Sequence, residues 1–139
     1  MGSNANPPSL QRIPVSDAVR AILCALASGD LTRPVPWGEI DALELLPALY
    51  REGLIGLAHR YTVESPHRDA VPSPLVEALR EAHLVMAMQN AVAYHSVSRI
   101  LRRLVRAAPP FLIAKGPAVA ETLYPGPWLR SFNDLDLIV

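Results

Sequence analysis

The feature that most constrains the fold of this chain is one long segment with helical periodicity. Ser73 and Pro74 supply a capping residue and a first-turn proline, and Glu77 adds a negative charge near the helix start. The apolar stripe that follows continues to about Ala107 and comprises Leu75, Leu79, Ala82, Met86, Ala93, Val97, Ile100 and Leu104. At about 1.5 Å per residue, the stripe predicts a helix on the order of 50 Å long. We expect this helix to be the spine of the molecule.

Shorter helices are predicted ahead of the spine. Ser16 caps a first helix that ends at Gly29, and its apolar face is formed by Val19, Ile22, Leu23 and Leu26. A second apolar periodicity runs through Ile40, Leu43, Leu46, Leu49 and Tyr50. Because Pro47 and Gly53 interrupt this run, we expect two short helices there. Residues 62–72 are polar and bounded by proline, which predicts a loop.

The composition indicates a soluble, globular chain with no membrane partner. Half of the 139 residues are apolar, but no uninterrupted run is long enough for a membrane helix. Thirteen basic residues cancel thirteen acidic ones, so any anion site has to be built locally. Cys24 has no partner for an intramolecular disulfide, and we interpret it as a core residue in a reducing compartment. We expect a cytoplasmic protein in which residues 1–14 are a disordered leader rather than a signal peptide.

The pattern changes after Pro110 and predicts a short mixed segment. The apolar run at residues 111–114 is typical of a buried strand, and Lys115 and Gly116 end it. Gly116 then caps a short helix over residues 118–123, with Pro117 at its first position. Finally Leu135, Leu137 and Val139 alternate with Asp134, Asp136 and Ile138 in the period of a strand. We therefore predict an α+β fold, with a helical bundle over residues 15–108 and the start of a mixed sheet over residues 109–139.

The two aspartates of the last strand are candidate metal ligands. Asp134 and Asp136 share one face of the predicted strand, roughly 6–7 Å apart at their backbones. Carboxylates at this spacing suit magnesium, which prefers oxygen ligands and keeps open positions for phosphate. Taken alone, such a pair is more often a solvated charge on an edge strand.

Taken together, the motifs of this segment resemble the uncharacterised nucleotidyltransferase family of the polymerase-β-like superfamily. The similarity rests on residues 112–118, on residues 123–125, on Arg130 and on residues 134–139, in matching order and spacing. It implies that Gly116 packs against nucleotide phosphates and that Asp134 and Asp136 hold catalytic magnesium. A glycine turn that opens a helix also presents N–H groups and a positive dipole end to an anion.

Two further cations are candidates for the nucleotide site. Lys115 adds a point charge beside the glycine turn, although Lys115 and Gly116 alone would more simply end a strand. Arg130 is a candidate phosphate contact, and a structural pairing with Asp134 or a loop carbonyl is the alternative.

Two departures from the superfamily pattern affect the expected chemistry. Pro117 stands where many members have glycine or serine, and proline offers phosphate neither a hydroxyl nor an N–H, so we expect fewer triphosphate contacts. The third carboxylate that usually completes the metal site is missing, because no residues follow Val139. We interpret the chain as truncated, either a fragment or half of a split protein.

The resemblance implies magnesium-dependent transfer of a nucleotidyl group from a nucleoside triphosphate such as ATP. The acceptor stays open between a small molecule, a protein side chain and a tRNA end. The alternative is a non-catalytic helical module for binding or assembly, with a degenerate or incomplete core. Because unpaired strand edges seek partners, we also expect a homodimer through the strand that begins at Asp134.

The remaining polar clusters of the sequence are interpreted as structural. A basic stripe near the end of the long helix is most simply a solvated face favoured by the helix dipole, and comprises Arg99, Arg102, Arg103 and Arg106. No histidine is assigned to a metal, because His59, His67, His83 and His95 share no tight ligand spacing. Trp128 is expected to anchor its loop against the core.

Overall fold

A computed structural model describes residues 15–38, 40–107, 110–132 and 134–138 of the chain, so the predicted leader lies outside the described residues. The helices are α1 (Asp17–Ala27), α2 (Ala42–Arg51), α3 (Ile55–Glu64), α4 (Ser73–Ala107) and α5 (Gly116–Leu123). The strands are β1 (Leu112–Ala114) and β2 (Asp136–Ile138), and 3-10 turns occupy Arg68–Ala70 and Pro127–Leu129. The predicted α+β class is confirmed.

The core lies where α1, α2 and α3 pack against the first half of α4. Tyr61 is almost fully buried there, with its ring edge against Trp37 at a centroid distance of 5.5 Å. Its hydroxyl donates to the Arg33 carbonyl at 3.0 Å and accepts from the Val35 N–H at 3.1 Å. The Tyr61 hydroxyl therefore holds the proline-rich segment between α1 and α2 against α3. It pairs both the main-chain N–H of Val35 and the carbonyl of Arg33.

Helix α1 agrees with the prediction except for its cysteine. The Ser16 side chain accepts from the Val19 N–H at 3.3 Å, and Gly29 adopts the left-handed φ of 68° that ends the turn. Cys24 is exposed, so its interpretation as a core residue was wrong. At 100° per residue it lies about 200° from both Ile22 and Leu26, which face the core.

The break between the second and third helices lies at Gly53 and not at Pro47. Helix α2 continues through Pro47, and Gly53, with a φ of 69°, separates it from α3. Proline is tolerated because it lies on the exposed side of α2, where the carbonyl that loses its partner is accessible to solvent. The predicted apolar face was also displaced: Leu45, Ala48 and Leu49 are buried, whereas Leu43 is 82% exposed. Helix α3 runs to Glu64, so the predicted loop over residues 62–72 begins too early.

The long helix α4 has the predicted bounds, but its stripe is buried only in part. Leu75, Leu79 and Met86 are in the core, whereas Ile100 is 48% exposed. The four arginines of the predicted basic stripe are all exposed, in agreement with a solvated face. In the part of the chain that the structure describes, no helix combines the length and apolarity needed to cross a membrane.

The two strands form an antiparallel sheet in which Leu112 pairs with Ile138 and Ala114 with Asp136. Asp134 precedes β2 instead of belonging to it, which corrects the prediction that both aspartates lie on the strand. Because β2 is paired within its own chain, the homodimer through this strand concerns its other edge and stays a prediction. The sheet register places the start of β2 beside the end of β1.

Candidate metal and nucleotide site

The antiparallel register brings Lys115 and Asp136 together. Lys115 follows Ala114, the residue opposite Asp136, and its Nζ lies 3.3 Å from Oδ2 of Asp136. That oxygen is buried and accepts no hydrogen bond among the described residues. Since the lysine side chain is 79% exposed and the aspartate 40% exposed, the pair is weak and its partners can separate. A buried carboxylate oxygen without a hydrogen bond is unusual and requires an explanation.

The turn between β1 and α5 has a strained backbone. Lys115 has φ 52° and ψ −147°, and it is the one non-glycine residue with positive φ in the described ranges. Such a conformation costs a non-glycine residue about 1–3 kcal/mol. Lys115 is also the N-cap of α5, which begins at Gly116, so the predicted cap was one residue too late. A lysine therefore stands where glycine would fit without strain.

Gly116 allows this turn to lie against the Asp134 segment. A Cβ at this position would be 2.8 Å from the main-chain oxygen of Asp134 and 3.5 Å from its Oδ1. The start of α5 thus lies close to both Asp134 and Asp136, and their roles in a metal and nucleotide site stay predictions. Pro117 is buried behind the turn and offers no N–H.

Substituting Gly116 by alanine is expected to destabilise the fold by roughly 1–3 kcal/mol, because its φ of 23° and the contact with Asp134 both disfavour a Cβ. Urea unfolding monitored by circular dichroism measures the change. Gly38→Ala is the matched control, since Gly38 also has positive φ but nothing within 4 Å of an added Cβ. Equal losses in the two variants would contradict a steric role for the contact with Asp134.

Arg130 points away from the aspartates in this structure. Its Nη1 donates to the Tyr124 hydroxyl at 3.4 Å, and its guanidinium carbon lies 5.8 Å from the centroid of that ring. The same nitrogen would lie 3.2 Å from a Cβ placed on Gly53, at the turn between α2 and α3. Among the described residues no ion pair joins Arg130 to Asp134. Its assignment to nucleotide binding stays a prediction.

An asparagine that the sequence reasoning missed fixes the segment leading to Asp134. Asn90, buried on α4, donates from Nδ2 to the carbonyls of Pro127 at 3.3 Å and Arg130 at 3.0 Å. Trp128 is 54% exposed and does not anchor this loop, whereas the neighbouring Leu129 is buried. The available signal was a polar residue inside the apolar stripe of α4, because buried amides are normally hydrogen-bonded.

An aromatic contact joins α4 to the same segment. The rings of Tyr94 and Phe132 meet edge to face with centroids 4.8 Å apart, and Phe132 lies next to Gly116. Burial, together with the nearby Glu121 carboxylate, raises the pKa of Tyr94 to about 12. The phenol is therefore neutral at physiological pH and acts as a packing group between α4 and the candidate site.

A histidine pair was also missed by the sequence reasoning. His59 of α3 and His83 of α4 stack with ring centroids 4.3 Å apart, beside a cleft of about 320 Å³ that Trp128 borders. Burial, followed by His83 and Arg80, lowers the pKa of His59, and burial lowers the pKa of His83. Within the described ranges no group of three or more histidine, cysteine or acidic residues can hold a metal ion. The pair is a neutral packing contact near pH 7.

This pair predicts acid sensitivity. Because the pKa of each histidine is lowered by folding, the unfolded chain binds more protons than the folded chain as the pH falls. The free energy of unfolding is therefore highest above the ordinary histidine pKa of about 6.5 and decreases below it. We expect the free energy of unfolding to fall between pH 7 and pH 5, and His83→Gln to reduce that slope. Urea titrations across this range measure it. His95→Gln, an exposed substitution on the same helix, should leave the slope in place; an equally steep slope in His83→Gln would contradict the assignment.

Comparison with known proteins identifies the family of the chain. No match to the chain was found among curated proteins or among solved structures. The model of the family described as "Uncharacterised nucleotidyltransferase" matches residues 38–139. The match includes the glycine turn and both aspartates, and it extends from there back through α4, α3 and α2. The chain therefore belongs to the uncharacterised nucleotidyltransferase family.

Proposed function

We propose that this protein takes part in magnesium-dependent transfer of a nucleotidyl group from a nucleoside triphosphate. The observation that carries the proposal is the Oδ2 atom of Asp136, which is buried and without a hydrogen bond but faces the Lys115 ammonium at 3.3 Å. A carboxylate oxygen left this way is suited to a cation. Membership of a nucleotidyltransferase family indicates which reaction the cation serves.

The residues present fit magnesium. Asp136 offers the oxygen described above, and the exposed Asp134 adjoins the glycine turn, so two carboxylates of the kind that magnesium prefers lie close to the end of the sheet. When bound there, magnesium supplies polarisation of the α-phosphate and stabilisation of the leaving pyrophosphate. The proposed metal ligands are Asp134 and Asp136.

The glycine turn is the proposed phosphate contact. Helix α5 begins at Gly116, so its first-turn N–H groups and the positive end of its dipole face the segment that carries Asp134. Lys115 brings a positive charge to the same place. The buried Pro117 removes one N–H from this set, which favours a site that relies on charge more than on main-chain hydrogen bonds. The acceptor class stays open between small molecule, protein and tRNA.

Isothermal titration calorimetry of the chain with ATP tests the proposal. We expect saturable binding in the presence of Mg²⁺ and its loss when EDTA removes the metal. Asp136→Asn should lose the magnesium-dependent part, whereas Asp69→Asn, a substitution at an aspartate whose side chain is 97% exposed in the turn before α4, should bind like the wild type. Binding that is absent with Mg²⁺, or equal with Mg²⁺ and EDTA, would overturn the proposal.

A further inference from the structure

Lys115 carries two features that its place in a nucleotide site does not by itself explain. Its ammonium lies 3.3 Å from Oδ2 of Asp136, the oxygen that has no hydrogen bond. Its backbone adopts a conformation that glycine would accept without strain. Both features are explained if the lysine charge is needed at this position.

The two aspartates explain why a positive charge is needed at Lys115. Without metal, Asp134 and Asp136 place two negative charges next to the sheet edge, and Lys115 balances one of them. A divalent cation on Asp136 would instead face a like-charged ammonium at the distance of an ion pair, which is unfavourable. The lysine side chain is 79% exposed on a flexible stem, so it is free to leave. The nearest place that favours an anion is the start of α5, directly after Lys115.

We infer that Lys115 exchanges partners: it is the counter-ion of Asp136 in the metal-free chain and moves to a phosphate oxygen of the triphosphate when Asp136 takes a metal. The inference rests on the proposed function. Its consequence is coupling between the two ligands, because the lysine competes with the metal but assists the nucleotide. Metal alone binds weakly, and nucleotide binding removes the competing charge and so raises metal affinity, a reciprocal effect.

Lys115→Met tests the exchange, because methionine keeps an unbranched side chain of similar length without its charge. Two titrations are needed: Mn²⁺ alone, followed by electron paramagnetic resonance, and ATP with saturating Mg²⁺, followed by calorimetry. An exposed ion pair changes an equilibrium constant by up to about fivefold. We expect Mn²⁺ alone to bind about two- to fivefold more tightly to Lys115→Met, and ATP with Mg²⁺ to bind more weakly by a similar factor. Lys115→Arg keeps the charge, so it should not combine tighter Mn²⁺ binding with weaker ATP binding.

The opposite signs separate ligand exchange from a structural role, since a variant that merely distorts the turn loses affinity for both ligands. Wild-type binding of ATP with Mg²⁺, together with unchanged or weaker Mn²⁺ binding by Lys115→Met, would overturn the inference and leave the proposed function standing. Absence of ATP binding by the wild type in the presence of Mg²⁺ would overturn both. Circular dichroism spectra of the three proteins confirm that the variants are folded.

Discussion

Asp136→Asn is expected to abolish the thermal protection that ATP and Mg²⁺ give the wild-type chain. A ligand at one hundred times its Kd stabilises a folded protein by about 2.7 kcal/mol, which corresponds to a rise in Tm of roughly 5–10 °C for a chain of this size. Asparagine has nearly the shape of aspartate but only one oxygen and no charge, so it is a much weaker ligand for magnesium than a carboxylate. Differential scanning calorimetry with and without ATP and Mg²⁺ measures the shift.

The ligand-free Tm of each protein is the necessary reference for this experiment. The substitution also removes the partner of Lys115, but an exposed ion pair contributes about 1 kcal/mol or less, so the variant should fold. Asp69→Asn, at an exposed aspartate in the turn before α4, should retain the full protection. Equal protection of Asp136→Asn and the wild type would show that Asp136 does not hold the metal.

Gly56→Ala is expected to cause a large loss of stability. Gly56 lies in α3, and an added Cβ would overlap the main-chain oxygen of Leu129 and lie 2.6 Å from its Cα. Both sides of this contact are backbone, so relief requires separating α3 from the Pro127–Leu129 turn. The overlap should cost about 3 kcal/mol or more, against a gain of about 1 kcal/mol from the better helix propensity of alanine. Thermal unfolding should show a decrease in Tm of roughly 5–10 °C.

Ser96→Ala on α4 is the control, because it changes an exposed helical position to the same residue and should alter stability by less than about 0.5 kcal/mol. Stabilisation of the protein by Gly56→Ala would mean that helix propensity outweighs the contact, and that α3 and the turn are not packed as described.

The parts of the fold that the sequence predicted depend on local rules. The Ser16 cap, the Gly29 stop and the bounds of α4 follow from neighbours within one or two turns. The face of α2 and the position of Cys24 were mispredicted because burial depends on where other helices lie. The break at Gly53 instead of Pro47 has the same origin, since proline is tolerated on the exposed side of α2.

The candidate site was predictable in its residue types but not in its contacts. Asp134, Asp136 and Gly116 were named from the family resemblance, and the structure places them near one another, while their roles stay predictions. The ion pair of Lys115 with Asp136 depends on a strand register that links residues far apart in the chain. The stacking of His59 on His83 depends on how α3 and α4 cross, and no spacing within one helix indicates it.

The two hydrogen bonds of Asn90 connect the long helix directly to the segment that leads into Asp134. The Asn90 side chain donates hydrogen bonds to the carbonyls of Pro127 and Arg130, which lie on either side of Leu129 in the chain. The backbone of Leu129 also packs against Gly56 of α3. We therefore expect a displacement of α4 to affect the stretch of backbone that leads into Asp134. The helices support the segment that leads into Asp134, and so affect where the aspartates lie relative to the glycine turn. A chain divided near residue 108 would lose this support.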